Sequence, residues 1–293
     1  MSQAITVGVL GATSPAGRQV LVKLAAAGHR VVAFSRSTQP AGETGAVRWV
    51  SLADSQAEDA ARAAGPITVW IALCHIWVVG EHFDFMRRLG AQRVVCLSST
   101  SRYTKISSQN AYEEALVRRL SDGERALAEW AEDAGIGWTV LRPTLIYGRS
   151  TDRNLSEIVR IIRKLHIFPV FGRAGGMRQP VYVDDVAQAA VLAAFAPQAA
   201  NKGYNISGAE VLSYREMVTR IFKAMGRAPR LLTVPIWLFN SALFFLRLIP
   251  RYRNWNSDMV QRMNRDMVFA HDDAARDFDF KPQPFVLRDI DVL

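Results

Sequence analysis

Two cysteines in 293 residues are too few for a disulfide framework. Cys74 and Cys96 sit in apolar runs and lack metal-ligand spacing, so they read as buried free thiols in a reducing cytosol, and no metal site is expected. A membrane-spanning segment is missing as well. The uncharged stretch at residues 231–246 contains Pro235 and falls short of the roughly 20 residues a spanning helix needs. The opening MSQAITVGVL has no basic leader region and runs straight into a folded pattern, which argues against a signal peptide and for a cytoplasmic protein. Internal repeats and low-complexity tracts are absent, which excludes solenoids and disordered linkers.

What is present suits a globular chain, with 49% hydrophobic and 22% charged residues and enough length for one large α/β domain plus a smaller lobe. The net charge of +9 points to anionic ligands or surfaces: a phosphorylated small molecule or an anionic membrane. No nucleic-acid motif accompanies it, so no nucleic-acid partner is expected.

Short apolar runs at residues 4–10, 30–34, 47–50, 67–73, 93–97 and 138–141 read as buried strands. Helical patterns separate them at 16–27, between 50 and Gly65, and at 110–133, the last with a break expected near Gly123. This alternation predicts a doubly wound α/β fold with a parallel sheet covered on both faces. After Tyr147 the rhythm loosens, with helices near 155–165, 185–195 and 213–225, a glycine-rich loop at 172–176 and a strand at 181–183. The expected division is a cofactor-binding domain over 1–148 and a smaller mixed substrate lobe over 149–293, some of whose segments return to the main sheet. Asp185 reads as a helix N-cap.

The first strand runs into Gly11-Ala12-Thr13-Ser14-Pro15-Ala16-Gly17, and a helix follows. Gly11 suits the tight turn, Gly17 suits close helix–strand packing, and the helix N-terminus offers amides to a pyrophosphate. Ser14 stands where a glycine is common. The second strand ends in Ser35-Arg36 with no acidic residue to hold a ribose diol. A guanidinium there matches a 2′-phosphate, so NADP(H) is favoured over NAD.

Gly-Ala-Thr-x-x-x-Gly after the first strand resembles the extended short-chain dehydrogenases, the nucleotide-sugar epimerase/dehydratase group with a Rossmann domain. Three further stretches do the same: Leu97-Ser98-Ser99-Thr100, Leu141-Arg142-Pro143-Thr144 leading to Tyr147-Gly148, and Arg178-Gln-Pro-Val-Tyr-Val-Asp-Asp185-Val-Ala. The resemblance covers most of the first 195 residues and weakens beyond them. It implies that Gly11 through Gly17 hold the pyrophosphate and that Ala72 and Leu73 flank the riboses. Ser98 and Thr100 would sit by the nicotinamide, Thr100 at the family's catalytic Ser/Thr position with Ser99 beside it. Pro143 and Thr144 would cover the cofactor amide, and Arg178 would meet a substrate phosphate.

The chain departs from the family at its catalytic pair. Tyr-x-x-x-Lys puts a phenol and an ammonium on one helix face, and the lysine lowers the phenol pKa for proton transfer. Counting back from Glu124 places Leu120 and Leu116 there. Tyr103, Tyr112, Tyr182 and His75 are the substitute donors on offer; Tyr112 joins Thr100 and Ser99 as a catalytic candidate, and His75 and Tyr103 join Arg178 as substrate-binding candidates. The pattern resembles the atypical short-chain dehydrogenases, which include the NADPH-binding accessory subunit of respiratory complex I. Three readings stay open: an NADP-dependent oxidoreductase or epimerase with another donor, a catalytically silent NADPH-binding subunit docked on a membrane or membrane complex, or a shifted helix register. Residues 231–253, flanked by Arg227, Arg230, Arg247, Arg251 and Arg253, read either as a packed lobe segment or as a peripheral contact with the inner membrane face or a partner; oligomerisation is left open.

Overall fold

The computed structural model describes residues 4–36, 45–105, 110–149, 153–237, 257–288 and 291. The chain forms two compact units. The first comprises residues 1–143, 183–206 and 270–281, and the second 144–182, 207–269 and 282–293.

Alternation of strand and helix runs through the first unit as read from the sequence. In chain order come β1 (Thr6–Leu10), α1 (Pro15–Ala26), β2 (Arg30–Ser35), β3 (Val47–Ser51), α2 (Ala57–Arg62), β4 (Val69–Ala72) and α3 (Ile76–Val79). Then follow α4 (Phe83–Arg88), β5 (Arg93–Leu97), α5 (Ser101–Thr104), α6 (Ala111–Asp133) and β6 (Gly137–Pro143). The second unit opens with β7 (Ile146–Tyr147), α7 (Arg153–Leu165), β8 (Phe168–Phe171), β9 (Met177–Arg178) and β10 (Val181–Tyr182). The chain returns to the first unit with α8 (Val183–Phe195) and β11 (Lys202–Ile206), then supplies β12 (Leu212–Ser213), α9 (Tyr214–Ala224) and β13 (Leu231–Val234) to the second.

Seven parallel strands form the main sheet in the order β11-β6-β5-β4-β1-β2-β3. Strands buried on both faces need apolar side chains at every position, and β1 and β4 are buried throughout. On one face α1 packs against α8; on the other, α3 packs against α6. Trp70, Phe34 and Phe85 make an aromatic cluster in that core, with Trp70 Nε1 donating to the Ile67 carbonyl at 2.8 Å. Strand order reverses between β1 and β4, and in such sheets the crevice beyond the strands' carboxyl ends is the ligand site.

Two local expectations are corrected. Helix α6 runs unbroken through Gly123. A Cβ at Gly123 would lie 2.9 Å from Ile76 Cγ2 and 3.1 Å from the Trp77 nitrogen, so the glycine lets α3 approach rather than ending the helix. Asp185 is not an N-cap: α8 begins at Val183, and Asp184 and Asp185 occupy its first turn, where carboxylates face the positive end of the helix dipole.

The second unit holds three two-stranded pairs, β7–β10 and β8–β13 parallel and β9–β12 antiparallel, with α7 and α9. Tyr147 packs edge-on against Tyr182 and Phe285 in its interior. Among the described residues no helix is long and apolar enough to cross a membrane.

Candidate coenzyme and proton-transfer site

The turn after β1 can be built only with glycine at two places. Gly11 has φ of +72°, which L side chains rarely adopt, and a Cβ on it would stand 2.7 Å from the Cys74 nitrogen. A Cβ on Gly17 would lie 2.3 Å from the Gly11 carbonyl oxygen and 2.8 Å from that of Ala12. The chain therefore doubles back tightly onto the start of α1. The Ser14 amide donates to the Gly11 carbonyl at 3.0 Å, and the Ser14 hydroxyl caps the helix by accepting from the Gly17 amide at 3.0 Å. Pro15 opens the helix where no amide is needed. No acidic residue stands in that first turn, so the positive end of the dipole is not neutralised. Ala12 and Ala16 are buried, while Thr13 and Ser14 are partly exposed. The close turn, with the unneutralised start of α1 behind it, fits a diphosphate.

The neighbouring strand ends complete this rim. The Leu73 amide donates to the Leu10 carbonyl at 2.9 Å, which sets the end of β4 beside the turn. Ala72 and Leu73 are buried, so a ligand there meets their backbone. Cys74 follows as a free thiol, and burial raises its pKa; burial raises that of Cys96 well above the ordinary value. Ser35 is buried at the end of β2, whereas Arg36 is exposed.

A second polar segment follows β5. Ser98 Oγ donates to Glu124 at 2.6 Å, and Thr100 Oγ1 donates to the Pro143 carbonyl at 3.0 Å. The Thr100 amide donates to that same carbonyl at 3.1 Å. Both hydroxyl protons are thus committed inside the first unit. Ser99 differs: its Oγ accepts from the Ser101 amide at 3.1 Å, and its own proton has no protein acceptor among the described residues. Tyr103, on α5, is about a third exposed and lies between the Arg102 and Arg142 guanidinium groups, at 5.7 and 5.8 Å from its ring centre.

The buried carboxylate of Glu124 organises this segment. Besides Ser98, it takes the Arg142 guanidinium through two donor nitrogens, at 2.7 and 3.1 Å, and forms an ion pair with Arg102. A buried carboxylate needs such partners to remain charged. Reading the sequence found Glu124 as a helical landmark and Arg142 within Leu-Arg-Pro-Thr, but did not join them. Only the fold brings α5, α6 and β6 together.

The remaining candidates fall elsewhere. Tyr112 is 74% exposed in the first turn of α6, and no described hydrogen bond or ring contact joins it to Ser99 or Thr100. His75 is exposed just before α3 and stacks on Trp77 at 4.4 Å. Pro143 is buried at the end of β6. Thr144, in the second unit, donates to the Gln179 carbonyl. Tyr182 is buried, its hydroxyl 3.4 Å from Asp291.

Arg178 departs most from expectation. It is buried, and its guanidinium donates to the backbone carbonyls of Met177, Arg265 and Arg262 while lying over the Tyr214 ring. Burial lowers its pKa and pushes that of Tyr214 up to about 12. Three of its five N–H donors clamp the second unit's own chain.

A family model described as NAD(P)H-binding matches residues 11–197. Among curated proteins, the UDP-glucose 4-epimerase of Vibrio cholerae is 26% identical over 159 residues, covering 54% of this chain and 46% of its own length. The mitochondrial NADH dehydrogenase [ubiquinone] 1 alpha subcomplex subunit 9 of Arabidopsis thaliana is 26% identical over 222 residues, covering 70% of this chain and 49% of its own length. The chain thus spans about half the length of these two relatives. Among solved structures, dTDP-glucose 4,6-dehydratase from Bacillus anthracis, in complex with NAD, superposes with a TM-score of 0.70 at 11% identity, covering 99% of this chain and 94% of that one. At that identity the likeness is one of fold alone, a Rossmann-type α/β fold.

Proposed function

Because the chain belongs to the NAD(P)H-binding family, we propose that it is an NADP(H)-dependent oxidoreductase or epimerase/dehydratase acting on a carbonyl or sugar-nucleotide-like substrate. The observation that carries this reading is the turn from Gly11 to Gly17, which only glycine at both places allows and which sets the start of α1 close against the end of β1. The choice of NADP(H) rests on Arg36, an exposed cation at the end of β2 where a diol-binding carboxylate would stand in an NAD protein.

In this reading the Ala16 amide and the positive end of α1 hold the diphosphate, and Arg36 pairs with the 2′-phosphate. Bound nicotinamide supplies or accepts hydride. The Ser99 hydroxyl donates to the reacting oxygen of the substrate, while Ser98 and Thr100 shape the segment that presents it. Tyr103, on the helix that follows that segment and beside two guanidinium groups, serves as the proton donor in place of the tyrosine that Leu116 displaces.

A second reading keeps coenzyme binding and drops turnover. The leucines at 116 and 120, and the commitment of the Ser98 and Thr100 hydroxyls to Glu124 and Pro143, favour it. NADPH oxidation followed with a panel of carbonyl and sugar-nucleotide substrates separates the two: substrate-dependent turnover supports the enzyme, and saturable binding without turnover supports the silent protein. Arg36→Asp is expected to weaken NADPH at least tenfold while changing NADH little. Equal losses would remove the case for NADP(H).

A further inference from the structure

One part of the second unit, taken up by neither reading, joins two acid-free segments that carry exposed cations and exposed apolar side chains. No Asp or Glu occurs between Glu157 and Asp184, and none between Glu216 and Trp237. The fold joins these two acid-free segments. Strands β8 and β13 pair in parallel from Phe168–Leu231 to Phe171–Val234, and the Phe168 amide donates to the Arg230 carbonyl at 3.0 Å. Arg227 donates to the Ile162 carbonyl at 3.0 Å and lies 3.2 Å from His166 Nδ1, tying the end of α7 to the chain entering β13. Around this junction Arg163, Lys164, Lys223 and Arg230 are exposed. So are large apolar groups: Leu165 and Leu232 at 53% each, and Trp237 at 69%.

We propose that this face, formed by the end of α7 and by β13 with its approach, docks on an anionic lipid surface. Charge complementarity picks the occupant. A cationic face is attracted to acidic head groups, while leucine and tryptophan side chains partition into the interfacial region. A soluble polyanion such as nucleic acid engages the same cations but gives no place for the three exposed apolar groups, whereas a bilayer interface accepts both. Among the described residues no helix is long and apolar enough to span, and the proposed contact is peripheral.

Sedimentation of the full chain with vesicles tests this, using phosphatidylcholine alone against phosphatidylcholine with about a quarter phosphatidylserine. The protein is expected to pellet with the anionic vesicles only, with binding that weakens as salt is raised. Lys164→Gln with Arg230→Gln should reduce the partition about thirtyfold, and Leu232→Ser with Trp237→Ser should reduce it at least tenfold. Both pairs are on the surface, so melting temperature and coenzyme affinity should stay at the parent's values. That also keeps this test separate from failure of the coenzyme reading. Equal pelleting with neutral and anionic vesicles, no pelleting with either, parental binding by the charge pair, parental binding by the apolar pair, or displacement from vesicles by duplex DNA at equal charge would each overturn the proposal.

Discussion

The turn after β1 and the segment after β5 stand at the same end of one sheet, yet they are built on different terms. In the first, the work falls to backbone: two glycines whose added Cβ atoms would collide with main-chain atoms at 2.7 and 2.3 Å, and a serine that caps the helix behind them. In the second, side chains hold one another: Ser98 on Glu124, Glu124 on Arg142 and Arg102, Thr100 on the end of β6. A backbone cradle keeps its shape when neighbouring side chains change. A side-chain network holds its shape only while each partner is present, and here one buried glutamate joins two arginines and a serine. The first region therefore depends on main-chain geometry and the second on a charged side-chain network.

The largest effect that would sharpen this contrast comes from Glu124→Ala. It leaves Arg142, with 16% of its side chain exposed, facing an empty site, and a half-buried cation without its carboxylate costs about 3 kcal/mol. Arg102 is 32% exposed and contributes less, because solvent screens it. Urea denaturation measures the loss; a change below about 1 kcal/mol would mean the network does not hold this segment.

Next come the hydroxyls. With a reactive substrate in hand, Ser99→Ala should lower kcat about a hundredfold with little change in stability, as loss of a donor to a developing oxyanion does. Thr100→Ala should do the reverse, costing about 1 kcal/mol of stability through its lost bond to Pro143 and leaving most of the rate. If the two variants exchanged these effects, Ser99 would be the structural residue and Thr100 the reacting one.

Gly17→Ala probes the other region. The methyl has no room against the Gly11 carbonyl, so coenzyme affinity should fall about tenfold and stability by about 1–3 kcal/mol. Titration and thermal melting of the same sample check both; unaltered affinity would mean that the turn is not the binding element.

The smallest effect lies away from both regions and serves as a control. Asp277 takes hydrogen bonds from Tyr204 and Lys202, which lower its pKa to about 2. A depressed carboxylate stabilises the fold above its unfolded pKa, and that contribution is lost as pH falls from about 4 towards 2. Asp277→Asn should flatten the acid limb of a stability–pH profile over that window and leave coenzyme affinity unchanged. A shift confined to neutral pH would contradict the sign.

The alternation of strands and helices and the glycine turn after β1 were legible in the sequence because both are written locally. Runs such as residues 7–10 carry no polar side chain because the strand is covered on two faces, and Gly11 and Gly17 mark the turn by spacing alone. What escaped depends on distance along the chain. Gly123 reads as a helix breaker until α3 is set against it. Arg178 reads as a phosphate ligand until the carbonyls of Arg262 and Arg265 arrive from the far side of its unit. Glu124 and Arg142 look like separate motif positions until β6 brings them into contact. In each case a residue's local pattern was right and its partner was not yet visible.

Calorimetric titration of the full chain with NADPH and then NADH measures the cradle itself. One saturable site, tighter for NADPH than for NADH and weakened by Gly17→Ala, is the outcome expected of the start of α1 gripping a diphosphate. Absence of saturable heat with both coenzymes would contradict it.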